Sequence, residues 1–127
     1  MMAAKQPVGD LDENGFYCPG GWTVEQLREF GRAFDPQIDI GIVRAVKVLS
    51  DAGIETFESC EGGPGHSMPY PTVRFHGLST HAEGWRALAI CLTYGLPVLS
   101  LKRYWDVNSL GEPSGPRWEI EFRRKLL

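Results

Sequence analysis

The amino-acid sequence predicts an α+β fold: a two-layer sandwich in which a four-stranded, largely antiparallel sheet carries two helices on one face, with an N-terminal arm and a further helix ahead of it. Three observations carry this expectation. Two stretches of helical spacing each end at a glycine and run into strand-forming residues. The strands that close each stretch alternate polar and apolar side chains. The two helix-strand-strand stretches can also be laid over one another, with Gly53 on Gly95, Ile54 on Leu96, Phe57 on Leu99, Pro71 on Pro116, Val73 on Trp118 and Phe75 on Ile120. Duplicated units of this kind give a four-stranded sheet with helices on one side.

Residues 1–21 are polar and glycine-bearing and read as an arm, whose end docks on the body through Phe16, Tyr17 and Trp22; residues 22–127 read as a single α+β domain. Thr23 followed by Gln26 is a capping-box pattern. It opens a first amphipathic helix with Val24, Leu27, Phe30 and Phe34 on one stripe, ending before Asp35-Pro36. Asp39 is placed to cap a second helix whose stripe is Ile42, Val46 and Leu49 and whose Gly53 suits the left-handed position after the last turn. A strand over 54–60, a long loop and a strand over 72–76 follow. Thr80 with Glu83 opens the next helix, which stops at Gly95. Pro97 to Asp106 reads as a strand, Asn108 to Pro116 as a Gly/Pro loop, and Arg117 to Phe122 as the last strand.

Alternation sorts the strand side chains. Val73, Phe75, Trp118, Ile120 and Phe122 are expected under the helices, which sends Thr72, Arg74, His76, Arg117, Glu119 and Glu121 to the other face. The first strand is ambiguous in phase: with Phe57 in the core, Glu58 and Cys60 join the polar face.

The composition excludes several classes. A chain of 127 residues, 43% hydrophobic and 23% charged, fits one soluble domain with one core. Its net charge is −3, and its one basic block is Arg123, Arg124 and Lys125, so generic nucleic-acid binding is disfavoured. The acidic excess is uneven: residues 1–63 carry five Lys/Arg against eleven Asp/Glu, and residues 64–127 carry eight against five, leaving room for a cationic patch. No apolar run reaches about 18 residues, so no membrane span is expected. The amino terminus lacks the apolar stretch of a signal peptide, and three cysteines without an export signal point to reduced thiols in the cytoplasm.

The chemically capable residues crowd into Gly53–Gly77, and above all into the run ESCEGGPGH. Glycines let backbone N–H groups turn toward an anion. Gly62, Gly63 and Gly65 are candidates for that role, with His66, Ser67, Arg74 and His76 as donors and Tyr70 as a stacking partner; Glu58 and Cys60 complete the candidate set. The spacing is not a P-loop, because no lysine follows Gly65 and a strand, not a helix, comes next. A metal reading uses Cys60, His66 and His76, with Cys18 from the arm, in no recognised zinc spacing. A nucleophile reading sets Cys60 against His66 or His76, oriented by Glu58 or Glu61. Tyr70, Tyr104, Trp105 and Trp22 could form a slot for a flat base, and the loop NSLGEPSGP a second wall. Cys91 belongs to the core of a helix, and His81 to the first turn of one.

The run FESCEGGPGHSMPYPTVRFHG, with EGWRALAICLTYGLPV and GEPSGPRWEIEF, resembles a set of small proteins encoded in phages and prophages, over residues 35–122. The resemblance brings no catalytic residues. By analogy of size and origin it implies an inhibitor of host defence, a sponge for a nucleotide immune signal such as a cyclic dinucleotide or an ADP-ribose derivative. The expectation is therefore a non-enzymatic binder of a small phosphorylated nucleotide, acting as a homo-oligomer in the host cytoplasm, with no cofactor and no resident metal. A hydrolase using Cys60, His66 or His76 is the first alternative, and a protein-binding inhibitor of a host factor the second.

Overall fold

The computed structural model describes residues 11–12, 14–17, 22–77 and 82–127. The expectations that fall on Cys18, on Thr80 as a cap and on His81 lie outside these residues. The described elements are α1 (Val24–Arg32), α2 (Val43–Asp51), β1 (Thr56–Cys60), β2 (Thr72–His76), α3 (Ala82–Thr93), β3 (Val98–Val107) and β4 (Pro113–Phe122). The strands form one antiparallel sheet in the order β1-β2-β4-β3. Helices α2 and α3 pack on one face of it, and α1 packs on α2. The chain is thus α+β, with two helix-strand-strand units side by side.

The helix ends follow from local chemistry. Thr23 and Gln26 close their capping box: the Gln26 amide donates to Thr23 Oγ1 at 3.1 Å, and the Thr23 amide donates to Gln26 Oε1 at 2.8 Å. Helix α1 stops at Arg32, two residues short of Phe34. Phe34 therefore leaves the expected stripe, 44% exposed, with its ring edge-on to Phe30. Pro36 disfavours helical geometry at the residue before it, so the chain turns out of the helix early. Asp39 does not cap α2 with its side chain. Its carbonyl accepts the N–H groups of Ile42 and Val43, while its carboxylate turns to the Glu61 amide at 3.1 Å.

The two units end their helices alike. Gly53 has φ +83° and Gly95 φ +72°. Behind Gly53, Ile54 donates to Leu49 O at 2.9 Å; behind Gly95, Leu96 donates to Cys91 O at 3.0 Å. This is the left-handed glycine stop that satisfies otherwise orphaned helix carbonyls. The overlay read from the sequence extends into the sheet. Val73 pairs with Ile120, Phe75 with Trp118, and Arg74 with Glu119 between them, so the units are related about the Arg74–Glu119 pair.

The core lies where alternation put it. Val73, Phe75, Trp118, Ile120 and Phe122 pack under Ile42, Val46, Leu49, Ala87 and Cys91. Each large apolar side chain buried there contributes roughly 1.5–3 kcal/mol by removal from water. Trp118 needs room, and α3 provides it at Gly84, where a Cβ would overlap the indole ring. Arg44 on α2 is fully buried. Its Nη1 lies 2.6 Å from Asp12 Oδ2, its Nε donates to Leu126 O at 3.1 Å, and its guanidinium lies over the Phe16 ring. Phe16 joins the core, so Phe16 and Asp12 dock on the body.

In the sheet, one ambiguity is resolved and one expectation corrected. A bulge between Thr56 and Glu58 turns Phe57 out of the core, 44% exposed, to stack on His76 with ring centroids 4.4 Å apart. Strand β4 also begins four residues earlier than read, at Pro113, and β3 is shifted by one residue to Val98–Val107, so their connection is residues 108–112 and not Asn108 to Pro116. The loop over 61–71 adjoins Cys60 and Thr72, while residues 108–112 lie beyond the His76–Arg117 pair. The two connections therefore occupy opposite ends of the sheet, and the second cannot wall the first. Among the described residues, no helix is long and apolar enough to cross a membrane.

Candidate functional site

Cys60 ends β1 and Thr72 begins β2; the two residues pair across the strands and both are buried. The eleven-residue connection between them folds back on itself. At Gly62, φ is +76° and a Cβ would overlap the Tyr70 carbonyl carbon and approach the Pro71 nitrogen to 2.6 Å, so the two arms of the loop touch backbone to backbone. The Gly62 amide donates to Cys60 Sγ at 3.4 Å. The Gly63 amide donates to the carbonyls of Met68 and Pro69, and the His66 amide to Gly63 O. Glycines were expected here to aim N–H groups at an anion, yet the Gly62 and Gly63 amides hold the loop itself together.

The groups that converge on the loop are mostly carboxylates. Glu61 Oε1 accepts the Gly41 amide at 2.9 Å, and Glu61 Oε2 lies 3.2 Å from His66 Nε2 and 3.5 Å from Lys125 Nζ. Asp39 Oδ2 accepts the Glu61 amide at 3.1 Å and stands 3.7 Å from His66 Nδ1. Burial pushes the Glu61 carboxyl up, but the Gly41 amide, Lys125 and His66 outweigh it and hold Glu61 below the usual carboxylate value. One carboxylate oxygen of Asp39, the Cys60 sulfur and one ring nitrogen of His66 all lie within 4.8 Å of one another. These are ligand types and spacings that could hold a metal ion.

The structure divides the sequence-predicted residues into groups. Cys60, Gly62, Gly63 and His66 gather at the loop end of the sheet. Gly65, Ser67 and Tyr70 are exposed on the loop. Glu58 and Arg74 pair one step along the sheet, where Arg74 Nη1 lies 2.5 Å from Glu58 Oε1 and its Nε 2.9 Å from Glu119 Oε1. With two carboxylates already on it, Arg74 is a strut of the polar face. His76 is at the far end of β2 against Phe57, so it does not join Cys60 and His66. Asp39 takes the place that the metal reading gave to His76, and the nucleophile reading is left with His66 beside Cys60. Burial pushes the Cys91 thiol up to about 12, consistent with a core residue.

The aromatic slot does not assemble. Tyr104 lies beside Arg74 on the polar face, 5.5 Å from guanidinium to ring. Trp105 packs on Arg103, which lies between it and Trp118 on the helix side. Trp22 stands near Arg44 in the helix layer.

Sequence reading missed three residues. Asp39, Arg28 and Arg32 line an open groove of about 640 Å³ together with Gln37, Glu61 and Leu127. Arg32 Nη2 lies 2.9 Å and Arg28 Nη1 3.9 Å from the Glu25 carboxylate, and all three side chains are about half exposed. The acidic end of the groove is the Asp39–Glu61 pair, which also faces the loop. Asp39 carries only a helix-cap signal in sequence and the arginines read as ordinary exposed helix positions, because the groove they line is completed by residues from elsewhere in the chain. No family model, curated protein or solved structure matches this chain.

Proposed function

We propose that the protein binds a small phosphorylated ligand of the nucleotide class and holds it unaltered, in the groove bounded by α1, residues 37–40 and Glu61. One observation carries this reading: two arginines and two carboxylates face a single groove whose volume falls within the range of small-molecule sites, roughly 300–1,000 Å³. Arg28 and Arg32 supply the phosphate contact, since exposed ion pairs such as theirs with Glu25 contribute only about 0–1 kcal/mol and are readily exchanged for a ligand anion. Asp39 and Glu61 offer acceptors to ribose hydroxyls or exocyclic amines. The phosphate contact in this reading moves from the Gly62 and Gly63 amides and Arg74, which are engaged elsewhere, to α1. With the resemblance to small phage proteins, the role is sequestration of a nucleotide immune signal.

The test is calorimetry against cyclic dinucleotides and ADP-ribose derivatives, with recovery of the ligand after heat release. One ligand should bind and return intact, and the double variant R28A/R32A should lose at least tenfold in affinity while keeping its circular dichroism. Absence of binding across the panel, or full affinity in the double variant, overturns the reading. Recovery of a cleaved product favours the hydrolase reading instead, which the closeness of Cys60, His66 and Asp39 supports.

A further inference from the structure

The geometry points to a binding site for a divalent transition metal of the zinc class, with Asp39 Oδ2, Cys60 Sγ and His66 Nδ1 as ligands and a fourth position open. The three ligands come from three segments: the α1–α2 connection, the end of β1 and the loop after it. At tetrahedral angles, zinc bond lengths to S, N and O place ligand atoms about 3.3–3.6 Å apart. His66 Nδ1 and Asp39 Oδ2 stand at 3.7 Å, and the Cys60 sulfur lies within 4.8 Å of a carboxylate oxygen of Asp39 and a ring nitrogen of His66, so the three groups draw together to close around an ion.

A second observation is independent of those distances. Each ligand has an outer polar partner, and all three partners belong to the dipeptide Glu61-Gly62. The Glu61 carboxylate faces His66 Nε2 at 3.2 Å, the Glu61 amide donates to Asp39 Oδ2 at 3.1 Å, and the Gly62 amide donates to Cys60 Sγ at 3.4 Å. A carboxylate on the far nitrogen of an imidazole fixes its tautomer and turns the other nitrogen's lone pair toward a metal. The N–H donated to sulfur fixes where the Cys60 side chain points. Glu61 is itself held by Gly41 and Lys125. The sulfur ligand selects against magnesium and calcium, which prefer oxygen. Three protein ligands leave a position for water or for an oxygen of a bound molecule, and Asp39 also lines the neighbouring groove. The site stands on these contacts alone and does not depend on what the groove binds.

The experiment uses the full chain, reduced and freed of metal, titrated with Zn²⁺ against a chromogenic chelator and with Co²⁺ by absorption spectroscopy. One equivalent should bind with sub-micromolar affinity, and Co²⁺ should show a thiolate-to-metal charge-transfer band. His66→Gln, at a side chain that reaches solvent, should weaken binding at least 100-fold, and Glu61→Gln about tenfold through the outer shell. His76→Ala should change nothing. Failure to bind a stoichiometric ion, a cobalt spectrum without a thiolate band, or affinity that survives both His66→Gln and Asp39→Asn would overturn the site.

Discussion

The two helix-strand-strand units join their strands by different means. In the second unit, residues 108–112 form a tight turn that needs nothing from outside. Asn108 Oδ1 accepts the amides of Leu110 at 2.9 Å and Glu112 at 3.0 Å, and the Asn108 amide returns to Glu112 O at 3.0 Å. In the first unit the equivalent connection runs from Glu61 to Pro71 and is fastened to Asp39, Gly41 and Lys125, from two other parts of the chain. The units share helix stops and strand pairing, so the fold is satisfied by the short version. The long one is extra structure mounted on a scaffold that does not require it, which is where binding residues concentrate.

The comparison can be broken most severely at the glycines. Gly62 and Gly111 both have positive φ, at +76° and +79°, but a Cβ at Gly62 would strike the opposite arm of its loop and one at Gly111 meets nothing within 4 Å. Urea unfolding should show G62A losing about 3 kcal/mol or more, and G111A only about 1 kcal/mol. Equal losses would mean that the long loop has no tighter backbone than the turn. A smaller effect is expected at Asn108, where Asn108→Ala removes local hydrogen bonds worth about 1 kcal/mol in all. Its midpoint in urea should fall while nucleotide and zinc binding stay unchanged, separating the two ends of the sheet.

The smallest effect concerns acid. A hydrogen bond from Ser100 and the charge of Lys102 hold Glu121 below the usual carboxylate value, against the upward push of burial. A carboxylate lowered in the folded state contributes stability that is full above its unfolded pKa, near 4, and fades as pH falls through its folded value. E121Q should therefore flatten the acid limb of a thermal-stability profile below about pH 4 and leave the neutral region nearly flat, with no change in zinc affinity.

Legibility in the sequence followed the range of the forces. The Thr23–Gln26 cap, the glycine stops at Gly53 and Gly95 and the alternation through Val73, Phe75, Trp118 and Ile120 are each set within a few residues, and each was readable. The overlay of the two units was readable because it is a sum of such local signals. Phe57 was not, since a bulge moves one residue across the sheet without altering its strand-forming character. Cys60 and His66 were singled out by type, yet their partner Asp39 comes from the connection before α2 and shows only a helix-cap signature in sequence. The placement of the two connections at opposite ends depends on how the units meet at Arg74 and Glu119, a choice made by tertiary pairing.

Arg44 ties the two extremities of the chain into one decision. Its buried cation is paired with Asp12 and its Nε donates to the Leu126 carbonyl, so loss of Asp12 would leave a buried charge without its counter-ion and loss of Leu126 a buried donor without its acceptor.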